Sequence, residues 1–349
     1  MRKKIKVAVI CGGPSNERAV SLKTGGQVLK ALSTKKYETY LLEVTKQGGW
    51  LLKGGPTKNQ RLQKTTPLLA VEKYRPSKDI LKTADVAFIG MHGKFGEDGK
   101  IQTLLELAGI PYTGSGILAS ALGMDKMKTL EIVGRYGVRT PKFLATSSIV
   151  PNTSIVGLYK AVADRVGYPC VVKPNASGSS IGISIVKNKK QLLPAIKKSS
   201  KEDEKILIEE YIKGMELTCG VMGNSGQTEL EALPPVEIIP EGEFFDYNSK
   251  YFSEKTKEIC PARISAKTTA RIQELSRKTH FVLGCDGLTR SDFILSPSGQ
   301  LYFLEINTIP GLTEVSLCPK EARVAGMSFP EFLDKQIELA LLKRKTKRA

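Results

Sequence analysis

The amino-acid sequence predicts an α/β fold of the mixed α+β kind, with an open parallel sheet at its N-terminal end. Two segments, near residues 6–32 and 85–108, each consist of a strand-like apolar run, a glycine-rich loop and a helix-like stretch. This order is typical of open sheets with helices on their faces. Farther along, two alternating apolar runs joined by residues 296–299 (SPSG) predict a β-hairpin. The 349 residues suffice for two or three domains.

The composition favours a cytoplasmic protein without a membrane partner. Hydrophobic residues make up 41% of the chain, and no apolar run is long enough to span a bilayer. Basic residues precede the first apolar segment, as they do in a signal peptide. However, that segment covers only residues 7–11 and ends in Gly12 and Gly13 instead of a cleavage site. We interpret it as a first strand.

The net charge of +18 raises nucleic-acid binding as a hypothesis. Five positive charges fall in residues 343–349, which we interpret as a basic tail. The others are spread along the chain without an aromatic-interleaved patch or a known nucleic-acid motif, so this hypothesis is not favoured. The six cysteines are scattered, and with only two histidines a zinc site of the usual kind is not expected. Reduced, mostly buried thiols are the expectation.

The first glycine-rich loop, residues 11–18 (CGGPSNER), follows the strand predicted over residues 6–10. Ser21 is a candidate N-cap for a helix running to about Leu32. Ligands of open α/β sheets bind at the carboxyl ends of the strands, so this loop is a candidate binding platform. Glu17 would suit a ligand ammonium group, although a carboxylate at a helix start is equally explained by the helix dipole.

A second loop, from His92 to Gly99 (HGKFGEDG), lies between a strand predicted over residues 85–91 and a helix with apolar spacing from Ile101 to Ala108. A lone histidine is more often structural than catalytic. Its position at the carboxyl end of a strand makes His92 a candidate site residue. Residues 46–82 are polar and weakly periodic, and we interpret them as a surface excursion.

The middle of the chain predicts a phosphate-binding loop. A turn-rich crossing over residues 110–116 precedes a helix over about 124–136, which indicates a first domain boundary. A strand over residues 169–174 carries Lys173. The small polar residues 175–182 follow it, and such a loop can surround phosphates with backbone N–H groups. It does not match the P-loop pattern.

The predicted strands and helices of the remaining sequence lie before and after a candidate lid. Strands are predicted over residues 205–212, 215–223 and 228–239, and helices over 266–283 and 329–342. Residues 241–260 form a long aromatic and charged loop, of a kind that often closes over a site.

The predicted hairpin carries carboxylate, amide and guanidinium side chains close together. Residues two apart on a strand face the same way, so Glu305 projects with Asn307, and Arg290 projects with Asp292 on the partner strand. Carboxylate and amide oxygens are what a nucleotide-bound Mg²⁺ requires. The turn at Gly311 could present a backbone N–H to a reacting oxygen. Taken alone, this stretch is explained as well by an exposed strand face with ordinary charge pairing.

The order of the motifs resembles that of the D-alanine–D-alanine ligases, members of the ATP-grasp superfamily, over residues 6–342. The ordered motifs are GGxSxE at 12–17, HGxxGEDG at 92–99, YTGSG at 112–116, MDK at 124–126, KPxxxGSS at 173–180, YxxKY at 247–251, RxD at 290–292 and ExNxxPG at 305–311. The resemblance implies an N-terminal substrate-binding α/β domain (1–121), a central ATP-grasp subdomain (122–212), a C-terminal catalytic subdomain (213–342) and the tail (343–349).

The resemblance also implies the activity. ATP phosphorylates the carboxylate of a first D-alanine, and the amine of a second attacks the D-alanyl phosphate, which yields D-alanyl-D-alanine for peptidoglycan precursors. The implied cofactors are ATP and Mg²⁺, with Mn²⁺ as a possible substitute. The expected partners are these small molecules and a second copy of the chain in a homodimer.

The family motifs assign four groups of site residues. The Mg²⁺ ligands are Asp292, Glu305 and Asn307. The catalytic residues are Glu17, Ser179, Tyr251, Arg290 and Gly311. The ATP-binding residues are Lys126, Lys173, Glu209, Glu210, Tyr211, Ile212, Glu216 and Lys250. The substrate-binding residues are His92, Ser316 and Leu317.

Related activities are the nearest alternatives. A D-alanine–D-lactate or D-alanine–D-serine ligase, or another ATP-grasp carboxylate–amine ligase, would share most of these motifs. Tyr251 favours an amine nucleophile, because the D-lactate-using relatives depart from tyrosine at this lid position. The phosphate loop reads Asn175-Ala176-Ser177 where many relatives carry a charged pair. A catalytically inactive homologue is disfavoured by the complete metal and phosphate set.

Overall fold

The structure is a computed structural model that describes residues 3–54, 84–147, 155–178, 181–240 and 256–346, with side chains through Lys343. Three sheets and their flanking helices make up this part of the chain. No helix in it is both long and apolar enough to cross a membrane.

The N-terminal sheet has the strand order β3-β2-β1-β4. Its strands are β1 (Ile5–Gly12), β2 (Tyr37–Val44), β3 (Trp50–Gly54) and β4 (Val86–Ile89). Strand β1 runs parallel to β2 and β4, while β3 is an antiparallel edge strand. Helix α1 (Arg18–Ala31) follows β1, and α2 (Lys100–Leu107) follows β4. The predicted open parallel sheet and both predicted strand–loop–helix units are confirmed.

Two local predictions in this region are wrong. Ser21 does not cap α1, because the helix already begins at Arg18. Ser21 instead lies buried inside the helix, where its hydroxyl accepts from Gly12 N at 2.8 Å and donates to Gly90 O at 2.6 Å. Residues 50–54 are not a surface excursion, because β3 pairs with β2 and buries Trp50. Residues 55–82 of the predicted excursion lie outside the described residues.

The central part contains an antiparallel sheet of order β5-β8-β6-β7. Its strands are β5 (Phe143–Ser147), β6 (Cys170–Pro174), β7 (Ser184–Val186) and β8 (Lys205–Glu210). The helices around it are α3 (Ile117–Met124), α4 (Lys126–Arg135), α5 (Ile155–Arg165) and α6 (Lys189–Ser199). Asp125 caps α4 by accepting from Lys128 N at 3.0 Å, which leaves Lys126 in the first turn.

The C-terminal sheet has the order β12-β11-β9-β13-β14, with β10 beside β9, and all its pairs are antiparallel. Its strands are β9 (Met215–Asn224), β10 (Glu231–Ala232), β11 (Val236–Ile239), β12 (Lys257–Ile259), β13 (Asp286–Leu295) and β14 (Leu301–Asn307). Its helices are α7 (Ala266–Val282), α8 (Leu317–Val324) and α9 (Phe329–Thr346). The predicted β13–β14 hairpin and helix α7 are confirmed.

The largest apolar core joins the two ends of the chain. Val9 of β1 and Phe88 of β4 are fully buried in the same cluster as Phe332 and Ile337 of α9. A second core lies between the C-terminal sheet and helices α4 and α7, and a third lies between the central sheet and helices α5 and α6. The N-terminal sheet is therefore packed directly against the helices that follow the β13–β14 hairpin.

Helix α9 extends beyond its predicted end at Leu342. Lys343, predicted to begin a basic tail, pairs with Asp286 Oδ2 at 3.1 Å and donates to the carbonyl oxygen of Gly114. This contact anchors the helix, so Lys343 is not part of a frayed tail. The predicted reduced thiols are confirmed, since all six cysteines are free and only Cys260 is not fully buried.

Candidate active site

The β13–β14 hairpin brings four polar side chains to one face. Arg290 pairs with Asn307 across the two strands, and Asp292 pairs with Glu305. Because directly opposite residues of an antiparallel pair share a face, the two pairs project together. The grouping predicted from alternation is present.

A bulge beside this face separates the polar side chains from the core. The register shifts after Asp292, so that Phe293 pairs with Phe303 and Leu304 is the extra residue. Phe293 and Phe303 pack edge to face, with ring centroids 5.6 Å apart, on the buried side of the sheet. The bulge therefore lets Glu305 face the cleft although Phe303, two residues earlier, faces the core.

Asp292 is the centre of a hydrogen-bonded group. Arg290 donates to both of its carboxylate oxygens, each at 2.8 Å, in a bidentate ion pair. Thr218 of β9 donates its hydroxyl to Oδ1 at 2.6 Å, and Asn307 Nδ2 lies 3.3 Å from Oδ2. Burial alone would lower the pKa of Arg290, but the charge and hydrogen bonds of Asp292 raise it above its usual value. The guanidinium is therefore a permanent, fixed cation.

The residues present fit a hard divalent cation. Two carboxylates and one amide stand on one hairpin face, and Asp292 and Glu305 are partly accessible, with 18% and 25% of their side chains exposed. Oxygen ligands of this kind, with phosphate oxygens in addition, are what Mg²⁺ prefers. Sequence reasoning did not identify Thr218, because its contact with Asp292 joins residues that are far apart in the chain.

Lys126 links the hairpin to the phosphate loop. Its ammonium lies 3.4 Å from Glu305 Oε2 and donates to Ser177 O at 2.7 Å. The loop itself is held by Asn175, whose buried side chain accepts from Met127 N at 2.9 Å. Asn175 therefore has a structural role in this loop.

Lys173 and Glu209 form a buried ion pair on adjacent strands. Lys173 Nζ lies 2.6 Å from Glu209 Oε1, and about 5% of each side chain is exposed. Glu209 Oε2 is buried and has no hydrogen-bond partner within the described ranges. An acceptor left open in this way is suited to a donor on a ligand.

A cleft of about 720 Å³ lies between the central and C-terminal sheets. Its volume suits a nucleotide-sized ligand. Most of the predicted ATP and metal residues line it, together with the predicted catalytic residue Arg290. They are Lys126, Lys173, Glu209, Glu210, Tyr211, Ile212, Glu216, Asp292 and Glu305. Apolar side chains from both sheets complete the walls, including Val171, Ile185 and Ile238. The lining of the cleft therefore combines apolar and charged side chains.

Glu17 lies where three loops meet. A Cβ atom on Gly93 would come within 2.5 Å of Glu17 Oε2, and one on Gly178 would come within 2.7 Å. Only glycine leaves room for the carboxylate at these two positions. Glu17 therefore contacts both the loop after β4 and the phosphate loop after β6, as a shared ligand subsite requires.

Both ring nitrogens of His92 are already in hydrogen-bond contact. Nδ1 lies 3.0 Å from Ile309 O, and Nε2 lies 3.0 Å from the Thr24 hydroxyl. A carbonyl oxygen only accepts, so Nδ1 is the donor. Burial lowers the pKa of His92, which leaves a neutral ring whose Nε2 accepts from Thr24.

Glu97 is a buried acid that sequence reasoning did not identify as a site residue. Its Oε2 accepts from Gly93 N at 3.0 Å, and its Oε1 accepts from Ile309 N at 2.9 Å. Burial and, to a smaller extent, the nearby charge of Glu17 raise the pKa of Glu97 to about 8. Glu97 belongs to the HGxxGEDG motif, and this motif is the sequence feature that could have identified it.

The last predicted residues lie at the start of α8. Ser316 precedes the helix, and its side chain accepts from Thr313 N at 3.1 Å. A Cβ atom on Gly311 would approach Ser316 Oγ to 2.9 Å, so the turn packs closely on this serine. Leu317 is buried against Val236.

Three predicted site residues lie outside the described residues. They are Ser179, Lys250 and Tyr251. The greater part of the predicted lid, residues 241–255, lies there as well. The described end of that segment forms β12.

The sequence matches two family models. The model described as D-ala D-ala ligase N-terminus matches residues 6–115, and the one described as D-ala D-ala ligase C-terminus matches residues 132–338. Similar proteins include a D-alanine–D-alanine ligase of Syntrophobacter fumaroxidans, 43% identical over 97% of this chain and 98% of that protein. A ligase of the same name from Bacillus cytotoxicus is 38% identical over 99% of this chain and 98% of that protein.

Solved structures show the same fold. The VanG D-Ala:D-Ser ligase from Enterococcus faecalis has a TM-score of 0.81 and 35% identity, and the match covers 97% of this chain and 100% of that chain. The D-alanine–D-alanine ligase of Bacillus anthracis, determined with ATP, has a TM-score of 0.75 and 30% identity, with 98% and 99% covered. The predicted α/β class with ATP-grasp architecture is confirmed.

Proposed function

The chain belongs to the D-alanine–D-alanine ligase family, and from this premise we propose that its cleft joins two D-alanines to D-alanyl-D-alanine at the expense of ATP. The observation that carries the proposal is the hairpin face of Arg290, Asp292, Glu305 and Asn307, of which the first three line a nucleotide-sized cleft. The product is a precursor unit of peptidoglycan, and the expected compartment is the cytoplasm.

ATP would lie in this cleft with its base between apolar walls and its phosphates towards the hairpin. Residues Glu209 to Ile212 and Glu216 line the cleft, and the family pattern assigns the former to the adenine base and Glu216 to the ribose. Lys126 and Lys173 supply cations towards the phosphates. Lys250, which lies outside the described residues, is assigned the same role from its motif. Phosphoryl transfer depends mainly on such positioned cations.

Asp292, Glu305 and Asn307 would hold Mg²⁺, or Mn²⁺ in its place. When bound, such an ion would supply positive charge for the phosphate oxygens of the nucleotide. Asp292 is held in place by Arg290 and Thr218, so the ligand set is organised before nucleotide enters. That pre-organisation reduces the reorganisation needed during the reaction.

The first D-alanine binds with its ammonium group at Glu17 and its carboxylate near Arg290. A carboxylate oxygen of this D-alanine attacks the γ-phosphorus of ATP, the bond to the β-phosphate oxygen breaks, and ADP leaves. Arg290 stabilises the charge that develops on the transferred group and, with the N–H of Gly311, the oxyanion of the next step. Ser179 and Tyr251 complete the Glu17 subsite in the family pattern.

The second D-alanine enters with its carboxylate at Ser316 and Leu317, at the N-terminal end of α8. Its amine attacks the carbonyl carbon of the D-alanyl phosphate, loses a proton, and expels inorganic phosphate. The helix start favours a carboxylate because its N–H groups point outward there. As part of the same proposal, the domains of this chain meet at residues 121 and 212. The chain is also proposed to form a homodimer.

A substrate panel tests the function. We expect phosphate release and dipeptide formation with Mg²⁺, ATP and D-alanine alone, and none with L-alanine. The structural similarity to a D-Ala:D-Ser ligase makes D-serine and D-lactate necessary competitors. Release that requires D-serine or D-lactate would reassign the second subsite, and no release in any mixture would refute the ligase function.

Glu305→Ala tests the metal assignment. We expect turnover to fall by about 10²–10³-fold or more, because a fixed electrostatic partner of the transferred phosphate is lost. The matched control is Glu131→Ala, an exposed glutamate of α4 paired with Lys128, which should keep full activity. Unchanged turnover in a folded Glu305→Ala variant would remove this residue from the metal site.

A further inference from the structure

Ile309 is held at both of its backbone polar groups by one loop of the N-terminal sheet. We call residues 92–97 the HG loop. His92 Nδ1 donates to Ile309 O at 3.0 Å, and Glu97 Oε1 accepts from Ile309 N at 2.9 Å. All three residues are buried. The four atoms belong to segments more than 200 positions apart in the sequence, so this contact is purely tertiary.

Ile309 lies in the middle of the segment that carries the chemistry. We call residues 307–311 the catalytic turn. Asn307 at its start stands beside Asp292, and Gly311 at its end packs against Ser316. Fixing both polar groups of the central residue fixes the peptide planes on either side of it. The HG loop therefore sets where Asn307 and Gly311 lie.

The HG loop also contacts the first-substrate subsite. Gly93 lies against the Glu17 carboxylate, and Gly93 N donates to the second oxygen of Glu97 at 3.0 Å. Ser15, two residues before Glu17, donates its hydroxyl to His92 O at 2.7 Å and accepts from Glu17 N at 3.0 Å. One carboxylate oxygen of Glu97 thus accepts a hydrogen bond from Gly93, which lies against the Glu17 subsite. The other accepts a hydrogen bond from Ile309 of the catalytic turn.

We propose that Glu97 and His92 are positioning residues, which set the distance between the first-substrate subsite at Glu17 and the metal and oxyanion groups of the catalytic turn. This inference rests on the proposed function. It also changes the role of His92 from a direct substrate contact to a support for Ile309, because its two ring nitrogens already serve Thr24 and Ile309. The carboxylate of the first D-alanine must lie between the two regions that this loop joins.

Glu97→Gln tests the first residue. The wild type and this variant are assayed above the Glu97 pKa of about 8, where the wild-type carboxylate is ionised and both of its oxygens accept. Glutamine keeps one acceptor oxygen and turns an NH₂ group towards a backbone N–H, so one of the two bonds is lost. A misplaced catalytic turn lowers kcat with little effect on nucleotide binding, because no residue of the HG loop lines the ATP cleft. We expect kcat to fall by about 10²-fold, while KM for ATP stays within about twofold, the scatter expected for uncoupled sites.

Gln102→Ala is the matched control. Gln102 is buried and donates to Gly96 O at 2.8 Å, so it supports the same loop, and within the described ranges it makes no hydrogen bond to Ile309. Its kcat should stay close to that of the wild type, although its stability falls. Equal losses of kcat in both variants, or a rise in KM for ATP without a loss of kcat in Glu97→Gln, would overturn the positioning role.

His92→Asn and His92→Gln give a second test that does not depend on Glu97→Gln being folded. The amide nitrogen of asparagine can occupy the place of Nδ1 and keep the bond to Ile309 O, whereas that of glutamine reaches the place of Nε2. The positioning role predicts that His92→Asn retains more kcat than His92→Gln. The reverse order would indicate a substrate contact through Nε2 and overturn the inference. Failure of the wild type to form dipeptide would instead refute the proposed function.

Discussion

At the scale of single residues, the site depends on buried charges that are held by partners. Arg290 is fixed by two hydrogen bonds to Asp292, and Lys173 is fixed by Glu209 at 2.6 Å. Removing one member of a buried ion pair strongly destabilises the protein, because the remaining charge has neither solvent nor a partner. These residues therefore affect both stability and nucleotide binding.

Lys173→Met is predicted to destabilise the protein by about 3–5 kcal/mol, the usual cost of leaving one member of a buried ion pair. Urea denaturation of the nucleotide-free protein measures it. The control is Lys128→Met in the exposed pair with Glu131, where half of the lysine side chain is accessible and a loss of at most about 1 kcal/mol is expected.

The double variant Lys173→Met/Glu209→Met should recover much of the stability lost in the single variant, because no unpaired charge is left in the core. Both variants should bind ATP more weakly than the wild type. Equal stability of Lys173→Met and Lys128→Met would contradict the burial of the Lys173–Glu209 pair.

At the scale of elements, helix α1 is pressed against the sheet through one glycine. A Cβ atom on Gly25 would come within 2.7 Å of Cys11 Cβ, whereas one on Gly26 would meet nothing within 4 Å. The helix follows Glu17 directly. Close packing of α1 on β1 is therefore part of what places the Glu17 carboxylate.

Gly25→Ala and Gly26→Ala are predicted to act in opposite directions. Gly25→Ala overpacks the interface between helix and sheet and should cost about 1–3 kcal/mol. Gly26→Ala lowers the entropy of the unfolded chain without a clash and should stabilise by about 0.5–1 kcal/mol. Denaturant titration of both variants measures the two effects. A shift of the same sign in both would mean that α1 presents a different face to the sheet.

At the scale of the whole molecule, one apolar core connects the first strand to the last helix. The sheets therefore stabilise one another, and the free energy of unfolding is a property of the whole chain more than of each sheet separately. Both histidines are buried, and burial lowers the pKa of each. Buried neutral histidines make the folded state sensitive to acid.

The pKa of His280 is lowered by burial from 6.5 to about 4. Below pH 6.5 the unfolded chain takes up a proton that the folded chain does not accept until about pH 4. Stability from this residue is therefore complete above pH 6.5 and is lost as the pH falls from 6.5 to 4. The loss amounts to roughly 3 kcal/mol at 1.4 kcal/mol per pH unit.

His280→Asn should remove this part of the pH dependence. Asparagine keeps a polar atom near the Thr289 hydroxyl, which His280 Nδ1 contacts at 2.8 Å. Burial also raises the pKa of Glu97 and of Glu321 to about 8, which has the opposite effect, but both groups are present in both proteins and cancel. Urea titrations at pH 7, 5.5 and 4 measure the difference, and parallel pH dependences would contradict the prediction.

Local patterns in the sequence were enough to predict most strands and helices and most of the chemical groups at the site. Strand alternation has a period of two and is local, so it was enough to place Arg290 with Asp292 and Glu305 with Asn307 on shared faces. The order of short motifs was enough to identify the family, and apolar spacing was enough to predict helix α7.

Which side chains contact one another depends on how distant segments pack in the tertiary structure. The bulge at Leu304, the two bonds of Glu97, the ion pair of Lys173 with Glu209 and the buried place of Ser21 all depend on distant segments. Ser21 resembled a cap in sequence because capping and core hydroxyls have the same local pattern. Contacts between residues far apart leave no periodic signal in the chain, and only the packed core brings them within hydrogen-bond distance.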